Sequence, residues 1–199
     1  MKLLLASNNK HKLKELLIIL KNTNLSNIEI ITPIILNSNI EVDETGSTFE
    51  ENAKLKAIAF YNNFKIPTIA DDSGLEIEAL NNRPGVFSAR YSGNYGDDKA
   101  NRLKSLTDLA NNTNRNAQFR TVICFYNGKD IVYFNGICKG QISNIEKGLN
   151  GFGYDSIFIP NNYTQTFAEL DDNIKNKISH RAIAIEKFTF WLKSNNSSL

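Results

Sequence analysis

Pro67-Thr68-Ile69-Ala70-Asp71-Asp72-Ser73-Gly74-Leu75 is the stretch that decides the fold class. Its first four residues are apolar or β-branched and read as a short buried strand. That strand is expected to end abruptly at Asp71-Asp72-Ser73-Gly74, with a second strand-like run over residues 75–79. A plain turn also favours Asp, Ser and Gly. Two acids entered directly from a buried strand nevertheless match the place where α/β enzymes put groups that face a ligand.

Working outward, residues 2–6 form a short apolar run that stops at Ser7-Asn8-Asn9, and Leu13, Leu16, Leu17 and Leu20 then recur at helical spacing. A strand-like run at residues 28–31 precedes a loose acidic stretch around 41–46. Thr48-Phe49-Glu50-Glu51 has capping-box spacing and opens a helix running to about Asn62. On the other side, Asp97-Asp98 can start a helix with Leu103, Leu106 and Leu109 on one face. The aromatic runs 119–126 and 131–134 flank Asn127-Gly128, a strong hairpin signal. Gly151-Phe152-Gly153-Tyr154-Asp155 leads into Ile157-Phe158-Ile159, stopped by Pro160, and a last helix is expected from about Ser179 to Lys193. Early alternation of strand and helix followed by hairpins predicts an α/β protein with a mixed sheet. The expected organisation is one bilobed domain over residues 1–194 with a frayed tail at 195–199.

Bulk properties narrow the function. The chain has 199 residues, 41% of them hydrophobic and 22% charged, enough for a sizeable core. A net charge of +2 is too small for a dedicated nucleic-acid surface. Cys124 and Cys138 are the only cysteines and form no CxxC pair, so neither a zinc site nor a disulfide scaffold is expected. No segment approaches the ~18 apolar residues of a spanning helix, and the run at residues 3–6 is too short for a signal-peptide core. A cytoplasmic location, with no membrane or nucleic-acid partner, is the expectation.

Four motifs can carry chemistry. Ser7-Asn8-Asn9-Lys10-His11-Lys12 lies between a strand and a helix, where backbone N–H groups and the helix dipole favour an anion, and two lysines add charge. No GxxxxGK[ST] occurs, so this is not a Walker loop. Glu44 precedes the capped helix that carries Glu51, Lys54 and Lys56, and hard oxygen ligands of its kind suit Mg²⁺. Either acid of the pair Asp71-Asp72 could hold Mg²⁺ while orienting and deprotonating a water. Glycines around Phe152 would let an aromatic ring approach a flat ligand, with Asp155 and Arg181 reading polar edges. The plainer alternatives are solvated lysines, a core aromatic in a glycine turn, an N-cap at Ser179, a structural His180 and a surface His11.

Taken together these segments resemble the inosine triphosphate pyrophosphatase family, in order and nearly end to end from Ser7 to Arg181. The most specific pieces are Thr45-Gly46-Ser47-Thr48-Phe49-Glu50-Glu51-Asn52-Ala53, Ala70-Asp71-Asp72-Ser73-Gly74-Leu75, Pro84-Gly85-Val86-Phe87-Ser88-Ala89-Arg90-Tyr91, Gly151-Phe152-Gly153-Tyr154-Asp155 and Ile178-Ser179-His180-Arg181. The resemblance implies an elongated mixed β-sheet flanked by helices, in two lobes with a deep nucleotide-binding cleft, assembled as a homodimer. It implies hydrolysis of ITP, dITP and XTP to the monophosphate and pyrophosphate. Ser7, Asn8, Asn9, Lys10, His11, Lys12 and Lys56 would grip the triphosphate. Glu44 and Asp72 would hold Mg²⁺, with Asp72 also the proton acceptor. Ser73, Phe152, Gly153, Tyr154, Asp155, Lys175, His180 and Arg181 would complete the nucleotide site.

The family's first motif commonly reads Thr-Gly-Asn-x-x-Lys, and here Asn8 replaces its glycine, a substitution suited to a positive φ. The spacing does not choose between Lys175 and Lys177 as the ligand-facing lysine; only the family pattern favours Lys175. Competing readings are a nucleotide-binding module without catalysis, and a related pyrophosphatase acting on modified pyrimidine or standard nucleotides.

Overall fold

The computed structural model describes residues 1–21, 23, 25 and 28–195. The strands are β1 (Lys2–Leu5), β2 (Glu29–Ile31), β3 (Thr68–Ile77), β4 (Arg83–Pro84), β5 (Asn116–Tyr126), β6 (Ile131–Ile142) and β7 (Phe158–Pro160). The helices are α1 (Lys10–Lys21), α2 (Phe49–Phe64), α3 (Asp98–Asp108), α4 (Asp172–Ile178) and α5 (His180–Asn195). Seven strands form one sheet in the order β2-β1-β3-β5-β6-β7, with β4 paired to β3. β1 runs parallel to both β2 and β3, while β4 is antiparallel to β3 and β7 to β6, so the sheet is mixed as predicted.

The chain forms two compact units: residues 1–72, 121–136 and 181–199 in the first, and residues 73–120 and 137–180 in the second. In the first unit, Leu3 and Leu5 of β1, Ile69 of β3 and Ile123 and Phe125 of β5 pack with Leu16 and Leu20 of α1 and Ile185 and Phe188 of α5. Side chains alternate along a strand, so these odd-numbered positions share one face of the sheet. Even-numbered Asp72 and Tyr126 instead meet Asn52 and Tyr61 of α2, which covers the opposite face. The predicted capping box holds: Thr48 accepts from Glu51 N–H and the Glu51 carboxylate from Thr48 N–H, a contribution of about 1 kcal/mol. The second unit has its own core of Leu75, Ile77, Phe119, Ile157, Phe158 and Phe167.

Four expectations are revised. β3 does not stop at the acids but runs unbroken from Thr68 to Ile77, because a buried strand inside the sheet keeps its ladder through polar residues. On α3, Leu109 is buried but Leu103 stays 62% exposed, and polar Asn101 and Ser105 occupy the buried face. Asn101 explains this, since its amide accepts from Ser92 N–H and donates to the Ala89 carbonyl. A separate helix, α4, is closed by Ser179, and α5 follows at once from His180 with His180 and Arg181 buried, so the helix start is not solvated. At the end of the chain α5 continues through Asn195, and the rest of the expected frayed tail, residues 196–199, lies outside the described residues. Among the described residues no helix is long and apolar enough to cross a membrane.

Candidate active site

Strand periodicity sorts the two acids. Because β3 is continuous, Asp71 and Asp72 point to opposite faces of the sheet and have different partners. On the α1 and α5 face, Lys12 Nζ lies 2.8 Å from Asp71 Oδ2, and Arg181 Nε lies 3.9 Å from the same oxygen. Arg181 Nη1 donates to Glu15 Oε2 at 2.7 Å, and Glu15 is on the same helix as Lys12. Desolvation opposes charge on Asp71, but Lys12, Arg181 and Lys56 outweigh it and hold the carboxyl well below the ordinary range. The Lys12 ammonium is pushed below its usual value by desolvation, with Lys56 and Arg181 adding repulsion against the attraction of Asp71. An incoming polyanion would relieve that repulsion.

On the α2 face, Asn52 and Lys56 stand one helical turn apart. Asn52 is fully buried; its Nδ2 donates to Asp72 Oδ2 at 3.0 Å and its Oδ1 accepts from Gly46 N–H at 2.8 Å. Lys56 Nζ donates to Glu44 Oε1 and lies 3.9 Å from Asp72 Oδ1. A Cβ at position 46 would fall 2.6 Å from Glu51 Cβ and 2.7 Å from Asn52 Oδ1, so only glycine lets the Glu44 loop approach α2 this closely. Desolvation disfavours the Lys56 ammonium, yet Asp72, Glu44 and Asp71 together hold its pKa above the usual value. Asp72 is shifted up by desolvation and by the nearby Glu44 charge, only partly offset by Lys56, which Glu44 already engages.

Among the described residues no three His, Cys, Asp or Glu side chains converge as a ready metal cage. Glu44 and Asp72 are instead a pair converging on one ammonium. Such a pair fits Mg²⁺, which usually takes one or two carboxylates and completes its shell with water and substrate phosphates.

The Ser7 to Lys12 segment opens α1 as expected, but three of its amides are already bonded to side chains. Asn9 Oδ1 accepts from His11 N–H at 2.9 Å and Lys12 N–H at 3.3 Å, and Ser7 Oγ accepts from Asn9 N–H at 3.2 Å. Asn8, Lys10 and His11 are exposed. Asn8 is not among the residues at positive φ, so the position where the family carries glycine does not demand one here.

The second unit gathers another set. Asp155 Oδ2 accepts from Phe152 N–H at 2.8 Å and from Lys175 Nζ at 2.6 Å, and that ammonium lies 5.1 Å from the Phe152 ring centroid. Lys175 is buried whereas Lys177 is exposed, which settles which of the two joins this cluster. His180 is buried and stacks on Phe119 with centroids 4.6 Å apart, the structural role weighed for it. Tyr154 belongs to the core and donates its hydroxyl to the Ser88 carbonyl at 2.7 Å, so its ring supports the loop from beneath. Ser73 follows Asp72 on β3, half-buried. Sequence reasoning gave no site role to Glu15, Asn52 or Arg102, and Asp98 only a part in starting a helix. The i, i+4 spacing of Asn52 with Lys56 and of Asp98 with Arg102 was the only available signal.

Chemically, the first unit offers lysines, an arginine and paired carboxylates suited to a polyphosphate with a divalent cation. The second offers a ring, an ammonium and a fixed carboxylate suited to a flat polar ligand.

The chain matches the model of the Ham1 family over residues 3–191. It is 43% identical to the dITP/XTP pyrophosphatase of Aquifex aeolicus, with 98% of each chain covered. It is 45% identical to the enzyme of that name from Flavobacterium johnsoniae, covering 94% of this chain and 95% of that one. Among solved structures it superposes on the Staphylococcus aureus Ham1 protein with a TM-score of 0.89 and 40% identity, covering 98% and 100% of the two chains. On the nucleoside-triphosphatase or dITP/XTP pyrophosphatase of Mycobacterium abscessus the TM-score is 0.78 at 40% identity, covering 94% and 97%. These relatives bear out the likeness carried by the five motifs: the chain belongs to the Ham1 family.

Proposed function

We propose that this chain is a Mg²⁺-dependent nucleoside triphosphate pyrophosphatase that hydrolyses ITP, dITP and XTP to the monophosphate and pyrophosphate, clearing them from the nucleotide pool. The observation that carries the reading is the paired carboxylates Glu44 and Asp72 around the Lys56 ammonium, in a chain whose relatives over nearly its whole length are named dITP/XTP pyrophosphatases.

In this reading Lys12, Lys56 and the Ser7 to Lys12 segment receive the phosphates, and a modest reorientation of the Asn9 side chain would release the His11 and Lys12 amides to them. Glu44 and Asp72 would hold Mg²⁺, which would neutralise phosphate charge. Asp72, oriented by Asn52, takes the proton of the attacking water as its oxygen bonds to phosphorus and the bridging P–O bond between the α and β phosphates breaks. Lys12 and Lys56 stabilise the departing pyrophosphate. Phosphoryl transfer gains mainly from such alignment and charge stabilisation. Phe152 with Asp155 and Lys175 takes the purine, Ser73, Gly153, Tyr154 and His180 shape and support its surroundings, and Arg181 adds a polar contact. A 6-keto purine presents an acceptor where adenine presents a donor, and a site built around that difference rejects adenine because a buried donor would go unpaired. The same reading makes the protein a cytoplasmic homodimer acting on free nucleotides, not on a membrane and not on nucleic acid, and its small net charge supports the last of these.

The test is pyrophosphate release from ITP, XTP, dITP, GTP and ATP, with and without Mg²⁺, beside Asp72→Asn. Metal-dependent turnover favouring ITP, dITP and XTP and lost in the variant is expected. Tight ITP binding without turnover would replace this reading with a sensor. A preference for another nucleotide would keep the chemistry and remove the specificity.

A further inference from the structure

Asp98 and Arg102, one turn apart at the start of α3, both reach the same glycine of the aromatic loop. Asp98 Oδ2 accepts from Gly153 N–H at 2.7 Å, and Arg102 Nη1 donates to the Gly153 carbonyl at 2.8 Å. The peptide groups on both sides of the Gly153 Cα are thus gripped by charged side chains. Arg102 is itself braced, with its Nε 2.9 Å from Glu146 Oε2.

We propose that Asp98 and Arg102 are positioning residues that set the placement of the Phe152 ring, and thereby purine affinity, by locking Gly153. The proposal rests on the reading that Phe152 receives the base. Gly153 sits at φ +59, a conformation in which glycine is held without penalty but from which it is also free to leave. Phe152 is its immediate neighbour, tied to Asp155 by the bond its N–H donates to the carboxylate and the bond its carbonyl accepts from Asp155 N–H. Left unclamped, a glycine loop would have to be ordered as the ligand binds, which lowers affinity; fixed in advance, it presents the ring in place. Charge-assisted bonds to backbone are about twice as strong as neutral ones, and two of them converge here. Asp98 is not needed to start the helix, because the neighbouring Asp97 accepts from Ala100 N–H and supplies the cap.

The experiment compares wild type with Asp98→Ala, Asp98→Asn and Arg102→Lys. Amide hydrogen exchange at Gly153 is read in the ligand-free protein, along with kcat and KM for ITP and inhibition by inorganic pyrophosphate, which carries no base. Asp98→Ala is expected to speed Gly153 exchange and raise the ITP KM by about tenfold, equivalent to about 1.4 kcal/mol. Its kcat and pyrophosphate inhibition should stay within about twofold of wild type, a split that marks binding of the base alone. Asp98→Asn keeps an oxygen that accepts from Gly153 and should recover most of the loss, and Arg102→Lys should behave as a mild version of Asp98→Ala. Unchanged exchange and KM in Asp98→Ala overturn the proposal, and so does an equal loss of pyrophosphate inhibition and kcat, which would mark general disruption. A wild-type protein that hydrolyses no purine triphosphate would sink the functional reading and the base-placing role together, while Gly153 exchange still decides whether the clamp exists.

Discussion

Replacing Asn52 by leucine removes one side chain that ties together the two carboxylates assigned to Mg²⁺. The shape is nearly kept, so the change isolates two hydrogen bonds: the one donated to Asp72 at 3.0 Å and the one accepted from Gly46 at 2.8 Å. A bond to a charged partner contributes about 1.5–3 kcal/mol and a neutral one about 0.5–1.5, so their joint loss at a fully buried site should cost about 3 kcal/mol. For a chain of this length each kcal/mol lowers Tm by roughly 2–4 °C, which gives a drop of about 6–12 °C. Catalysis should suffer separately. With its donor gone, the Asp72 carboxylate is released from its orientation and the Glu44 loop from α2, and misplacement of a reacting group by about 1 Å costs on the order of 100-fold. Thermal unfolding followed by circular dichroism measures the first effect, and pyrophosphate release from ITP at saturating Mg²⁺ the second. A variant melting within a degree of wild type, or turning over at the wild-type rate, would show that Asn52 organises neither carboxylate.

Asp71, held well below the ordinary carboxylate range by Lys12 and Arg181 against desolvation, contributes stability that is present above the unfolded value of about 3.9 and lost as pH falls below it. The Tm gap between wild type and Asp71→Asn should therefore be widest near neutrality and shrink below about pH 4; a gap that stays constant down to pH 2.5 contradicts the assignment. Burial pushes the Cys124 thiol up to about 12 and the Cys138 thiol up to about 11. Since the thiolate is the nucleophile, neither should be alkylated by iodoacetamide at pH 8 in the folded protein, and both should be in guanidinium. Rapid stoichiometric labelling of the native protein, read by mass spectrometry, would show that these thiols are not sealed.

Much of the local structure was legible because its causes are adjacent in the chain. Thr48 and Glu51 satisfy each other across three residues, Asn127-Gly128 permits a tight reversal between two apolar runs, and Pro160 ends the strand it closes. α4 was missed because it is only seven residues long and carries just two apolar side chains, Ile174 and Ile178, too few to establish a period. The acid pair was recognised as important but placed in a turn, since Asp, Ser and Gly favour turns locally while ladder bonding inside the sheet overrode that preference.

By itself the sequence determined the kinds of groups available, the order of the motifs and hence the family. It also determined that two adjacent carboxylates would follow directly on a buried apolar run. Only the tertiary structure decided that these carboxylates part to opposite faces, with Asp71 going to Lys12 and Arg181 and Asp72 to Asn52 and Lys56. It alone decided that Lys175 rather than Lys177 meets Asp155, and that α3 holds Gly153. The physical reason is that turns and caps close over three or four residues, whereas charge pairing in the site joins partners up to 166 residues apart, as Glu15 and Arg181 are. Such partners meet only once strand register and helix packing have fixed which way each side chain points.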